Sequence, residues 1–448
     1  MRVRRLLDSL ATRGDAPCLI WRGETLTYRA LDELRRRWRD ILGGRNIAPG
    51  AVVGIKADHS PNAVALLLAL LEHGCVAALI PATAPDEAPY LHDAQAEALC
   101  RFDADGEGAW QAVPGRHPTV RHRLLQTLAA RREAGFIIFS SGSTGQPKAI
   151  LHSAERFLAK FDRPGKRLRT LAFLLFDHIA GIDTLFYTLA GGGTLVLPER
   201  RDPLSVCRLI QDHEVEVLPT SPTFLNLLCL SGDHAGFDLS SLKIITYGSE
   251  PMSAATLARL GEIFPGVDIV QKYGTSEFGA PRARSRGRDS LYLKLKDDEI
   301  EARIVDSVLW VRTPTAMLGY LNAPNPFDED GWYCTGDVVE QDGDWIRILG
   351  RQSDIIIVGG EKVYPQEVEA VILELDSIED AVVRGEAHPF MGHIVTAEVT
   401  PRGAADEAAV RKEVRRHCRA RLAPYKVPAK VRIAQGPLAT ERQKKIGQ

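Results

Sequence analysis

The chain has 448 residues, 45% of them hydrophobic and 25% charged, with a formal net charge of -2. That length is well beyond the ~250–300 residues at which a single core stops growing, so two or more domains are expected. Near-neutral charge gives no electrostatic case for nucleic acid or an anionic membrane as partner, and no run reaches the ~18 apolar residues of a membrane span. The basic start Met1-Arg2-Val3-Arg4-Arg5 precedes no long apolar core, so a secretory signal is not expected. Seven cysteines are scattered without Cys-x-x-Cys spacing, which argues against a disulfide framework or zinc site and for a reducing cytoplasm.

In chain order, the first predicted elements are a helix near Tyr28–Leu42, a strand Val52–Lys56, a helix Asn62–His73 and a strand Val76–Ile80. Ala63 to Leu71 is the richest apolar run and reads as a buried helix. Phe136-Ile137-Ile138-Phe139 reads as a further buried strand. Then short strands at Thr170–Phe173, Thr194–Leu197, Val215–Leu218, Lys243–Thr246 and Val267–Val270 alternate with helices Ile179–Leu189, Pro203–His213, Pro222–Leu230 and Ala254–Phe264. Such alternation implies parallel sheets covered on both faces.

After about residue 290 short strands and turns dominate, through Trp310-Val311-Arg312 and Trp345–Leu349. The last segment reads strand, helix Pro365–Leu375, strands Ala381–Arg384 and Ile394–Thr400, helix Ala405–Arg421 and strand Lys430–Ile433. The expected fold is α/β: a large N-terminal domain of doubly wound sheets with a β-rich subdomain, then a small mobile α+β domain. The expected boundaries are 1–350, a hinge at 351–354, and 355–448. The arginines of 402–421 stand in a segment of mixed charge and read as a solvated helix face.

The segment Phe139-Ser140-Ser141-Gly142-Ser143-Thr144-Gly145-Gln146-Pro147-Lys148 carries the most information. Glycines let backbone N–H groups approach a ligand, hydroxyls add donors, and Lys148 adds a charge, which together make a phosphate cradle leaving a sheet edge. The spacing is not the Walker pattern. The alternative is a Ser/Gly connector. Tyr273-Gly274-Thr275-Ser276-Glu277 offers an aromatic face for a base and a carboxylate for Mg²⁺ beside phosphates. Trp332-Tyr333-Cys334-Thr335-Gly336-Asp337 ends in an aspartate, read as lying on a turn, able to accept from two ribose hydroxyls.

Taken together and in order, 140–148, 273–277, 332–337 and Gly350-Arg351 through Glu369 resemble the adenylate-forming superfamily of acyl- and aryl-CoA synthetases, nonribosomal adenylation domains and luciferases. The resemblance implies that Ser140, Ser141, Gly142, Ser143, Thr144, Gly145 and Lys148 close over the ATP phosphates. It implies that Tyr273 flanks adenine, Gly274 belongs to the cofactor-binding turn, Thr275 lies near the α-phosphate, and Glu277 binds Mg²⁺. Asp337 and Arg351 would hold the ribose. Gly248, Ser249 and Glu250 would line the adenine and acyl pockets, and Tyr320 matches a structural Gly-Tyr turn. His178 resembles the family's His-x-x-Gly histidine at the mouth of the carboxylate pocket, which Phe176, Ile179, Pro222–Leu225 and Tyr247 are expected to line with apolar surface. Asp177 leaves an amino acid substrate as an alternative.

By the same resemblance Lys444, with Lys445 as rival, is the adenylating lysine. Gln443 replaces the family's usual glycine there, which leaves a catalytically weakened nucleotide-binding protein as another alternative. Ser353 stands where the family often has Asp or Lys, and 282–309 is shortened. The implied reaction converts a small carboxylic acid and ATP to an acyl-AMP and pyrophosphate. The acyl group then passes to CoA or phosphopantetheine, with an acyl carrier protein as a candidate partner. Gly359-Gly360-Glu361 would let the pantetheine arm pass after the small domain rotates. A kinase-like phosphotransferase using the same cradle is the rival reading.

Overall fold

The computed structural model describes residues 1–113, 121–140, 147–163, 165–295, 300–403 and 406–434. Two seven-stranded sheets form the body. The first runs Asp268–Gln271, Ile244–Tyr247, Val217–Thr220, Arg169–Leu171, Thr194–Leu197, Pro17–Trp21 and Glu24–Thr27, parallel except for the last strand. The second runs Gly319–Tyr320, Lys148–Ser153, Gly135–Ser140, Val76–Ile80, Val52–Lys56, Ala98–Phe102 and Gly108–Ala112. Its four inner strands from Gly135–Ser140 to Ala98–Phe102 are parallel, and the flanking strands are antiparallel.

Helices Pro61–Glu72 and Ile179–Gly191 share one core with strand residues of both sheets, including Leu19, Val53, Leu79 and Leu195. This explains the apolar run: every residue from Ala63 to Leu71 is buried, as a helix apolar all round must be. Each buried leucine there contributes roughly 1.5–3 kcal/mol. Ser60 starts that helix by accepting from the Ala63 N–H, with Pro61 in the first turn, where its missing N–H does no harm. No helix among the described residues is long and apolar enough to cross a membrane.

A six-stranded antiparallel sheet follows, in the order Ala283–Ser285, Leu293–Leu295, Trp345–Arg351, Tyr333–Asp342, Val308–Arg312 and Glu301–Val305. Beyond the 3₁₀ turn Gln352–Asp354 the chain builds a separate apolar cluster from Ile356 to Val431, around strands Ile378–His388 and Gly392–Pro401. Arg259 pairs with Asp376 at 2.6 Å, and Asn226 donates to the Glu379 carbonyl at 3.1 Å, joining this unit to the body. Helix Glu407–Arg421 buries Val410, Val414 and Cys418. Three of its five arginines are spent locally, Arg411 on Glu407, Arg421 on Glu374 and Arg415 on the Ala429 carbonyl, while Arg416 and Arg419 are exposed.

Two local readings are corrected. Asp337 lies within strand Tyr333–Asp342, not on a turn, and Arg351 ends strand Trp345–Arg351. The cause is cross-strand pairing, which places Asp337 directly opposite Arg351. The strand Gly135–Ser140 is also no sheet edge, because Val76–Ile80 and Lys148–Ser153 pair on either side of it.

Candidate active site

Ser140 and Lys148 face each other across antiparallel strands, so the cradle is a hairpin connection and not the strand-to-helix loop of a Walker site. Ser141, Gly142, Ser143, Thr144 and Gly145 lie outside the described residues, as do Lys444 and Lys445. The base of the hairpin is clamped by Asn322. Its amide accepts from the Ala149 N–H at 2.9 Å and donates to the Pro147 carbonyl at 2.8 Å. The Lys148 ammonium lies 5.1 Å from the Tyr320 ring centroid.

Tyr320 reaches further than a structural turn. Its phenol donates to Glu277 Oε1 at 2.7 Å, while Gly319–Tyr320 pairs with strand Lys148–Ser153. One tyrosine thus joins the lysine at the cradle to the carboxylate expected to hold the metal. The sequence signal was its place in Gly319-Tyr320-Leu321-Asn322, where both clamp residues sit together. Burial and the Glu277 charge push the Tyr320 and Tyr333 phenols above their ordinary range, so both stay neutral donors.

The Glu277 backbone is fixed separately. Its carbonyl accepts from the Met317 N–H at 2.7 Å, and its N–H donates to Thr275 Oγ1 at 3.3 Å. His152, also missed by sequence reasoning, shares a 2.8 Å hydrogen bond between Nε2 and the Ser276 carbonyl and stacks on Phe136. A carbonyl only accepts, so Nε2 is the donor. Burial holds the His152 pKa down to about 4, so the ring is a neutral strut for the 273–277 turn.

Asp337 is 5% exposed. Its Oδ2 accepts from the Tyr273 phenol at 2.6 Å and its Oδ1 from Arg351 Nε at 2.8 Å. Each oxygen keeps a second lone pair for a ligand hydroxyl. Burial raises the Asp337 pKa, and the Arg351 charge and Tyr273 hydrogen bond oppose the rise. Tyr273 packs against Phe278 with ring centroids 5.8 Å apart, so in this structure its phenol positions the aspartate.

His178 is the N-cap of helix Ile179–Gly191, its Nδ1 accepting from the Ala180 N–H at 3.3 Å. The glycine of the His-x-x-Gly segment has a packing reason: a Cβ on Gly181 would stand 1.9 Å from the Leu175 carbonyl oxygen. Gly248 is similar, since its Cβ would meet the Lys272 carbonyl oxygen at 2.7 Å. Gly248→Ala is expected to lower stability by about 1–3 kcal/mol, as overpacking does, read by urea unfolding. Beside it, Glu250 Oε2 accepts from Thr223 Oγ1 at 2.7 Å.

The expected apolar lining is corrected in part: Pro222 and Thr223 border a cavity, and the larger side chains do not. Phe176, Phe224, Leu225 and Tyr247 are at most 1% exposed and belong to the cores, where packing such as Phe173 on Phe224 consumes their surface. A cavity of about 720 Å³ does open between Thr223, Glu250 and Met252 on the body and Tyr364, Glu367 and Lys426 on the C-terminal unit. Tyr273, Thr275 and Asp337 do not line it.

Residues 6–321 match the family described as AMP-binding enzyme, and residues 367–445 match the AMP-binding enzyme C-terminal domain. The chain belongs to the AMP-binding enzyme family. It is 30% identical to triostin synthetase I of Streptomyces triostinicus, across 95% of this chain and 89% of that one. It is 27% identical to the long-chain-fatty-acid–CoA ligase FadD13 of Mycobacterium tuberculosis, across 92% and 89%. The fold matches the crystal structure of the anthranilate CoA ligase AuaEII in complex with anthranoyl-AMP at a TM-score of 0.84, with 22% identity and coverage of 99% and 95%. This AMP-binding enzyme thus has the mixed α/β body and C-terminal unit of the adenylate-forming enzymes.

Proposed function

We propose that this AMP-binding enzyme is an acid–thiol ligase that adenylates an acyl or aryl acid, releases pyrophosphate, and passes the acyl group to a thiol of CoA or of a carrier-bound pantetheine. One observation carries the reading. The ribose anchor, Asp337 held by Tyr273 and Arg351, and the phosphate end, Lys148, Tyr320, Glu277 and Thr275, are linked through one short turn, 273–277.

The chemistry needs that convergence. A carboxylate and a triphosphate repel, so attack on the α-phosphorus requires charge to be clamped where it develops. Lys148 supplies one cation at the cradle, and Lys444 is assigned the second by resemblance. Glu277 is a single carboxylate beside the phosphate end, and no group of three acidic, histidine or cysteine ligands exists among the described residues. That donor set fits Mg²⁺, which binds through one or two carboxylates plus substrate phosphates. Magnesium, when bound, would neutralise the triphosphate. The separate C-terminal core and the short turn at 352–354 support a rotation that exchanges the lysine tail for the Gly359-Gly360 hairpin tip between the two half-reactions.

The test is product identity with a panel of acids and hydroxylamine as trap. AMP, pyrophosphate and an acyl hydroxamate are expected, whereas ADP and phosphate would select the phosphotransferase reading. Lys444→Ala is expected to slow ATP–pyrophosphate exchange by ~10²-fold or more, with Lys445→Ala near native. The reverse order would move the role to Lys445.

A further inference from the structure

We propose that the acid activated by this site carries a second anionic group, and that Lys272 is the residue that recognises it; the proposal rests on the adenylation reading above. Lys272 directly follows strand Asp268–Gln271, and its N–H donates to the Tyr247 carbonyl at 2.7 Å. Its neighbours Gln271 and Tyr273 are buried, while Lys272 between them is exposed. In an extended segment side chains alternate, so Lys272 leaves on the face opposite Tyr273 and Asp337. Its side chain adjoins the wall made by Gly248.

Three more charges belong to this region. Lys160 forms an ion pair with Asp183, from helix Ile179–Gly191, and donates to the Ala280 carbonyl at 2.8 Å. Arg282 donates to the carbonyls of Lys160 and Arg163 at 3.0 and 3.4 Å. Lys160 therefore occupies the Asp183 carboxylate that Lys272 also feels, and Arg282 adds a further positive charge. The Lys272 ammonium has no hydrogen bond or ion pair among the described residues. It is reached by solvent, yet protein crowds it: desolvation first, then Lys160 and Arg282, depress its ammonium pKa, with only Asp183 opposing. An ammonium so placed is a site for an anion.

The anion has two candidate sources, the triphosphate and the acid. The phosphate-end residues Glu277, Tyr320 and Lys148 cluster with each other, and among the described residues no hydrogen bond or ion pair joins Lys272 to them. Lys272 is three residues from Thr275, at most about 11 Å of chain, the reach of a short dicarboxylic or carboxyaryl acid. With the expected apolar lining consumed by the core, a charged far end is what the exposed residue beside Gly248 can recognise.

The test uses matched pairs that differ by one charge: succinic against succinamic acid, glutaric against glutaramic acid, and terephthalic against 4-carbamoylbenzoic acid. With the full chain and Mg-ATP, pyrophosphate release is expected to give a kcat/KM roughly 10- to 100-fold higher for at least one diacid than for its amide. Lys272→Met should collapse that ratio to about one through KM for the acid, and Lys272→Arg should retain part of it. An amide used as well as its diacid in every pair overturns the proposal, and so does a Lys272→Met ratio equal to the native one. A rise in KM for ATP alone would assign the charge to the triphosphate, and overturns it too. These three outcomes leave adenylation standing if monoacids are turned over. Absence of pyrophosphate release with any acid, charged or not, overturns the adenylation reading and this one with it. Melting temperature reports folding, and should Lys272→Met not fold, the native ratio alone decides.

Discussion

Glu277→Gln is expected to cut pyrophosphate release by about 10²–10³-fold while leaving the fold nearly as stable as before. The backbone of residue 277 is held by Met317 and Thr275, neither of which touches the side-chain charge. Glutamine keeps the length, and its amide oxygen can still accept from the Tyr320 phenol that now donates to Oε1 at 2.7 Å. Only the negative charge beside the phosphate end is lost. A hard divalent cation needs that charge as its protein anchor, and removing one such electrostatic contact from a transition state costs about 2.7–4 kcal/mol. Tyr320→Phe is the contrast. It leaves the carboxylate in place and removes its 2.7 Å donor, so a loss of only about tenfold is expected. Single-turnover rates at saturating Mg-ATP check both. A Glu277→Gln enzyme within tenfold of native would remove Glu277 from the reaction.

The layered body was legible because its strands are short apolar runs and its helices carry their own start signals. Thr194–Leu197, Pro203–His213 and Val52–Lys56 agree residue for residue. The site was legible as four segments but not as contacts. Asp337 read as a turn residue. What puts it on a strand is pairing with Trp345–Arg351, a partner not encoded near it in sequence. Tyr320 was read as scaffold and Asn322 was not singled out for the same reason, since their partners Glu277, Lys148 and Ala149 are distant along the chain. His152 sits in an apolar strand with no motif around it, and only the Ser276 carbonyl 124 positions away explains it. The apolar pocket lining failed for its large side chains because a place in the pocket was inferred from residue type. Phe224 and Tyr247 are apolar enough to line a pocket, but the core between the helix and the strand on which they lie consumes them first.

Asp337→Asn is expected to raise KM for ATP by about 10- to 100-fold and to change the pH dependence of binding. A carboxylate accepts from two hydroxyls with charge assistance, worth about 1.5–3 kcal/mol per bond, whereas an amide has one accepting atom and a misplaced donor. The sign of the pH effect follows from burial. Desolvation raises the folded pKa of Asp337, against the pull of Arg351 and Tyr273. The folded chain therefore holds this proton more tightly than the unfolded chain does. The group's contribution to stability is full below its unfolded pKa and is lost as pH rises through the raised folded value. Ionised Asp337 thus weakens the fold at neutral pH, and Asn removes that penalty. Arg351 loses its partner in exchange, but its side chain is 50% exposed and water can replace the ion pair. The two effects offset, so melting at pH 7 is expected to shift little while ATP binding falls. In the native enzyme KM for ATP should climb as pH drops through the raised Asp337 pKa, because protonation removes the acceptor. In the Asn variant that climb should vanish. A variant that keeps the native pH profile would mean that another group holds the ribose, and that Asp337 serves only to anchor Tyr273 and Arg351.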